Sequence, residues 1–252
     1  MKKLLLKSAL LVLAGTGLVA GNAFGTPVNV SGVNGEFTLN TIFSNQLPSG
    51  WKIDANLDQI TSDKYWEITQ IQSIASATML IEIAGNQNSN TFGIFDQSGH
   101  RQTLMNGPAN AGDKVSLSFG TNGLLSSIYW DYDSVGDLVG FSPNFINVPM
   151  DKSFGFFIGN ANGPLFYSDA SLNSDKADHM VSYAGTGANG LALNHYAIAF
   201  EDTASHNWDY DYNDMVLMVE SMNPVPEPAT MLLFGAGLIG LAGVARRKKI
   251  SK

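Results

Sequence analysis

Glu201, Asp202, Asp209, Asp211, Asn213 and Asp214 form the densest set of oxygen ligands in the chain, within Phe200-Glu201-Asp202-Thr203-Ala204-Ser205-His206-Asn207-Trp208-Asp209-Tyr210-Asp211-Tyr212-Asn213-Asp214. Carboxylate and amide oxygens are hard donors, which suit calcium rather than zinc or copper. Counting Asp209 as position 1, Glu220 falls at position 12, as in an EF-hand loop. The EF-hand reading fails. Position 6 is Asp214 where the sharp turn requires Gly, and Met215-Val216-Leu217-Met218-Val219 reads as a strand rather than a loop. A plain strand would not make the site either. Side chains two apart on it lie about 6.6 Å apart, whereas two oxygens on one calcium are at most about 5 Å apart. The acidic run must therefore curl at its start, or borrow Glu201 and Asp202.

Other constellations are weaker. Trp130-Asp131-Tyr132-Asp133 with Asp137 is a second acidic cluster that could hold calcium but reads more simply as a solvated turn. His179 beside Asp178 reads as a hydrogen-bonded structural histidine rather than a ligand or base. Trp208, Tyr210 and Tyr212 alternate with the acids and read as packing residues rather than a sugar-stacking platform. No G-x-S-x-G, H-E-x-x-H or P-loop occurs, and the expectation is a protein that is not an enzyme, with no catalytic residues.

The elements that must position the acidic run are short. Strands are expected at Thr78–Ile83, Thr91–Phe95, Lys114–Phe119, Ser127–Trp130, Phe154–Ile158, Tyr196–Phe200 and Met215–Val219, separated by Gly/Asn/Asp turns such as Asp96-Gln97-Ser98-Gly99. No long stretch keeps a helical period. The expected fold is all-β, an antiparallel β-sandwich of jelly-roll type.

The two ends carry different signals. Lys2, Lys3 and Lys7 precede an apolar segment that ends in Ala23-Phe24-Gly25, the layout of a signal peptide over residues 1–25 cut by signal peptidase after Gly25. At the other end, Ala229 to Ala245 is an uncharged run of 17 residues. It would span about 25 Å as a helix against the ~30 Å hydrocarbon core. Arg246, Arg247, Lys248 and Lys249 follow it. Basic flanks prefer the cytoplasmic side, so both ends point inward and the region between them outward.

Pro226-Glu227-Pro228, the short apolar helix and the basic end together resemble the PEP-CTERM sorting signal. That resemblance implies a Gram-negative exporter of extracellular polysaccharide, and an exosortase that cuts near Pro226-Glu227-Pro228 and discards the helix. A second resemblance is to the bacterial domain of unknown function 4114. It rests on the Phe200-Glu201-Asp202 strand end, Asp209-Tyr210-Asp211-Tyr212-Asn213-Asp214 and the closing apolar strand. Upstream it includes Leu80-Ile81-Glu82-Ile83-Ala84-Gly85-Asn86, Phe92-Gly93-Ile94-Phe95-Asp96, Phe156-Phe157-Ile158-Gly159-Asn160, Phe166-Tyr167-Ser168-Asp169 and Asp178-His179-Met180. It runs from about residue 65 to 220 and implies the cell surface and calcium, without naming a reaction.

The expected organisation is thus a signal peptide (1–25), an N-terminal part outside the second resemblance (26–64), the β-domain (65–221), a Pro-rich neck (222–228), the hydrophobic helix (229–245) and a basic tail (246–252). Removing the ends changes the charge balance. Residues 26–225 hold 6 Lys and Arg against 21 Asp and Glu, a net charge of −15, where the whole chain is −8. A domain this acidic excludes nucleic acid and anionic membrane surfaces as partners. Its contact with the membrane is through the C-terminal helix, before processing. With no cysteine, it folds without disulfides and without thiol chemistry. The expectation is a secreted or surface protein, transiently anchored in the inner membrane, non-enzymatic and calcium-stabilised, acting in adhesion or the biofilm matrix. The alternatives are a carbohydrate-binding module for extracellular polysaccharide, which should expose a row of aromatics, and a glycosidase, which needs two carboxylates ~5–9.5 Å apart.

Overall fold

The computed structural model describes residues 27–32, 35–46, 52–69, 74–82, 89–107, 109–160, 163–189 and 191–225. The expected signal peptide with Gly25, the Pro226-Glu227-Pro228 motif, the hydrophobic segment and the basic tail lie outside them. Among the described residues no helix is long and apolar enough to cross a membrane.

A short helix, α1 (Leu39–Gln46), precedes the strands β1 (Trp66–Ile68), β2 (Ile74–Glu82), β3 (Asn90–Asp96), β4 (Arg101–Asn106), β5 (Lys114–Phe119), β6 (Leu125–Tyr132) and β7 (Leu138–Val148). Then come β8 (Ser153–Asn160), β9 (Leu165–Tyr167), β10 (Met180–Ala184), β11 (His195–Phe200), β12 (Met215–Glu220) and β13 (Met222–Pro224). One sheet has the order β13-β1-β8-β3-β4, with β9 also paired to β8. The other runs β10-β11-β12-β2-β5-β6-β7. Every pairing is antiparallel, which meets the all-β expectation. The strand orders describe two sheets containing the meanders β5-β6-β7 and β10-β11-β12, and they do not establish the expected jelly-roll winding.

Each of the seven expected strands falls within or across an observed one. Met222–Pro224, read in the sequence as the start of the neck, is instead a strand. It pairs with β1, Met222 is fully buried, and Val225 N–H donates to Tyr65 O at 2.7 Å. An apolar side chain with a vacant sheet edge beside it gains more from pairing than from remaining a linker.

Two cores result. The first is filled from both sheets: Trp66, Phe92, Phe154 and Phe156 from one, Val115, Leu117, Ile198, Phe200 and Leu217 from the other. Phe92 stacks on Phe156 at 5.5 Å, and Phe92–Phe200 and Trp66–Tyr196 bridge the sheets at 6.1 and 4.9 Å. The second lies on the outer face of β10-β11-β12, where Val181, Tyr183, Ala197, Ala199 and Val216 alternate with residues of the first. Val28, Val30, α1, Ile53 and Ala55 cover it. Leu39, Ile42 and Phe43 of α1 follow the i, i+3, i+4 spacing of an amphipathic helix and are buried, and Thr38 Oγ1 caps its start by accepting Thr41 N–H. The N-terminal part that lies outside the second resemblance therefore closes the outer face of the sheet, so that β11 is buried on both sides.

Candidate functional site

The loop from β11 to β12 curls as the spacing of its acids requires. Tyr210 and Tyr212 both take positive φ, 65° and 53°. For bulky residues this is a strained conformation that only surrounding contacts sustain. Those contacts come from the N-terminal segment and the core. Ser31 N–H donates to Tyr210 O at 2.6 Å, and Ser31 Oγ donates to Asp209 O at 3.3 Å. The Tyr212 ring is fully buried, and its hydroxyl donates to Asp178 O at 2.7 Å.

The curl brings Asp209 and Asp211 to one side, where Glu36 joins them. One carboxylate oxygen from each of the three lies within 4.8 Å of the other two, a spacing that one calcium can bridge. Asn213 completes the wall. Its Nδ2 donates to Asp211 Oδ2 at 2.7 Å and to Phe37 O at 2.9 Å, while its Oδ1 is buried and unpartnered. Burial pushes the Asp211 carboxyl up to about 6, and the charges of Asp209 and Glu36 add to the shift against the hydrogen bonds from Asn213.

The other three sequence-predicted ligands sit apart from this group. Glu201 Oε1 accepts Tyr212 N–H at 3.1 Å and so holds the curl from beneath. Asp214 Oδ2 accepts Asp202 N–H at 2.8 Å, and Asp202 Oδ2 accepts Asn90 Nδ2–H at 2.9 Å. Burial pushes Glu201 up to about 7, with Asp209 and Asp211 adding to it, and Asp214 up to about 9, with Asp202 adding to it. Asn90 repeats the pattern of Asn213, with a buried Oδ1 that has no partner. Two groups of oxygen donors thus flank the loop, and in each the charged form of a carboxylate is penalised unless a cation compensates it. Glu36 and Asn90 are the residues that sequence reasoning missed. No spacing signal could have found them, because each is more than a hundred residues from its partners.

The histidine is buried and hydrogen-bonded, and its side-chain partner is Asp175 rather than the adjacent Asp178. His179 is fully buried, stacks on Phe166 at 3.9 Å, and lies within hydrogen-bond distance of Glu201 O and Asp175 Oδ2, both at 3.1 Å. Against the pull of burial, N–H groups of Ser205 and Ala177 and the His179 ring hold Asp175 down at about 2. Burial holds His179 below its ordinary value. Trp208 packs edge-on against His179 at 4.7 Å and contacts Tyr210 and Tyr212. Trp66 is fully buried, and Trp130 is half-buried beside the exposed Phe141 at 5.3 Å. In the weaker acidic cluster, Asp133 Oδ1 accepts Val135 N–H and Asp137 N–H, which makes it the cap of the β6–β7 turn.

A family model for a domain of unknown function (DUF4114) matches residues 91–222, and one for the PEP-CTERM protein-sorting motif matches residues 224–249. No curated protein and no solved structure matches the chain. The first match spans more than half the chain and takes in the whole curled acidic loop. It leaves out Glu36, which comes from the N-terminal segment. The sorting motif indicates export to the surface of a Gram-negative bacterium, with recognition by an exosortase.

Proposed function

The chain belongs to the DUF4114 family, and on that footing we propose that its exported domain is a non-enzymatic, calcium-stabilised module that acts in adhesion or in the extracellular matrix. One observation carries the calcium reading: Glu36, Asp209 and Asp211 converge within 4.8 Å on a loop held in strained backbone, beside a buried and unpartnered Asn213 Oδ1. Three carboxylates so close repel one another, and an ion relieves that repulsion. The ion would also fasten the N-terminal segment, through Glu36, to the curl between β11 and β12. Such a clamp suits a domain that works outside the cell, where calcium is abundant and no disulfide is available to this chain.

An ion that binds only the folded form stabilises it by RT ln(1 + [L]/Kd), about 2.7 kcal/mol at a hundredfold excess over Kd. For a domain of this size that raises the melting temperature by about 5–10 °C. Melting of the metal-free protein with calcium and with chelator tests this, for the wild type, Asp211→Ala and Glu36→Ala. Calcium raises the wild-type midpoint, both variants lose most of the rise, and magnesium substitutes poorly because it demands tighter octahedral geometry. Identical wild-type midpoints with calcium and chelator would refute the calcium reading. Turnover in a glycosidase and esterase screen, lost on substituting one carboxylate, would refute the non-enzymatic reading.

A further inference from the structure

At the end of β3 opposite Asn90, about 20 Å away along the strand, the β3–β4 turn forms one wall of an open cleft of about 620 Å³. This is within the size range of small-molecule sites. Tyr65, Phe95 and Tyr167 line it as a run of rings, Tyr65–Phe95 at 5.8 Å and Phe95–Tyr167 at 4.9 Å. The polar groups come from the turn. Asp96 is buried, its Oδ2 lies 2.7 Å from His100 Nδ1, and its Oδ1 accepts His100 N–H at 2.8 Å, so the imidazole is held at the cleft while its Nε2 has no partner among the described residues. Arg101 lies alongside. Its guanidinium donates to the Tyr167 hydroxyl at 3.2 Å and sits 5.9 Å from the Phe157 ring centre, and it makes no ion pair among the described residues.

An arginine carries five N–H donors in a planar fork that matches a carboxylate. That this one meets no carboxylate among the described residues is notable in a domain with 21 acidic residues. Asp96 in the lining, and Asp169, which accepts the hydroxyl of the lining Tyr65, add negative charge near the cleft, so a ligand with a single negative charge fits it better than the double charge of a phosphate monoester. Aromatic rings beside polar groups suit a ligand with one apolar C–H face and a rim of hydroxyls.

We propose that this cleft binds a sugar ring that bears a carboxylate, a uronic acid unit of a polysaccharide. Arg101 takes the carboxylate, Tyr65 and Tyr167 pack against the ring, and His100 Nε2 meets a ring hydroxyl. The site is separate from the acidic loop and does not depend on calcium being held there.

Calorimetric titration of the full exported protein tests it, with trimers of galacturonate, mannuronate and glucuronate as probes. The uncharged trimers of galactose, mannose and glucose, and tetraglutamate, serve as controls. At least one uronate trimer binds about tenfold or more tightly than its uncharged counterpart and than tetraglutamate. Arg101→Gln removes that advantage at an unchanged melting temperature, Arg101→Lys restores part of it, and Tyr167→Ala weakens both sugar series. The proposal is overturned if no uronate binds at millimolar concentration, if charged and uncharged trimers bind alike, or if tetraglutamate binds as tightly. Uronate affinity insensitive to Arg101→Gln, as calcium bridging at the acidic loop would give, also overturns it.

Discussion

Asp63 stands in the loop before β1 with 4% of its surface exposed, and it faces Ser182 of β10, whose hydroxyl donates to Asp63 Oδ2. Burial pushes its carboxyl up to about 7 from an ordinary 3.8, and the neighbouring Asp178 adds to the shift against the Ser182 hydrogen bond. The folded protein therefore keeps this proton over a range in which the unfolded chain has lost it. Stability linked to Asp63 is greatest below about pH 4, falls as pH rises toward 7, and levels off above that. A shift of three units corresponds to about 4 kcal/mol at most. Asp63→Asn removes the titration and keeps an acceptor for Ser182, but it brings amide hydrogens that cost about 1 kcal/mol if they find no acceptor. The expected result is a variant about 1 kcal/mol less stable than wild type at pH 4 and about 2–3 kcal/mol more stable at pH 8. Urea unfolding of both proteins between pH 4 and 8, in saturating calcium so that the acidic loop is held constant, measures the difference directly. A difference that does not change with pH would show that Asp63 does not titrate in this window, and the reasoning would fail.

Two further outcomes are expected. The protein recovered from the medium of an exosortase-competent host should lack residues 229–252 by intact mass, and a full-length C-terminus there would contradict cleavage at the motif. Gly93→Ala should destabilise the domain by about 1–3 kcal/mol in urea, because a Cβ there would run into Gln102 O and the Phe157 ring; an unchanged urea midpoint would mean that β4 can move aside.

Much of the fold was legible in the chain because local periodicity reports local burial. Lys114–Phe119 alternates, is buried on every second residue, and is a strand within the limits expected of it. Phe154–Ile158 is a continuous apolar run with glycine where a ring must fit, and β8 is buried on both faces. Some of the strands that were missed lack such a pattern. β7, Leu138–Val148, is an exposed edge strand with Pro143 in it, and its side chains carry little record of the pairing that holds it to β6. The helix α1 is only 8 residues long, too short to declare a period by itself.

At the acidic loop the chain determined the donor types, and the spacing of Asp209 and Asp211 required a curl, because a straight strand keeps such side chains farther apart than one cation can reach. Only the tertiary structure decided which acids share a side. It turned Asp202 toward Asn90, set Asp214 on the Asp202 N–H and Glu201 under the Tyr212 backbone, and carried Glu36 in from the N-terminal segment. Whether Arg101 has a carboxylate to pair with, and whether Asp63 meets water or the inside of the domain, were settled in the same way. The physical reason is common to all of them. Residue type and spacing act through the bonds between neighbours, while charge partners, desolvation and cavities depend on distances across space, which exist only once both sheets and both cores have closed.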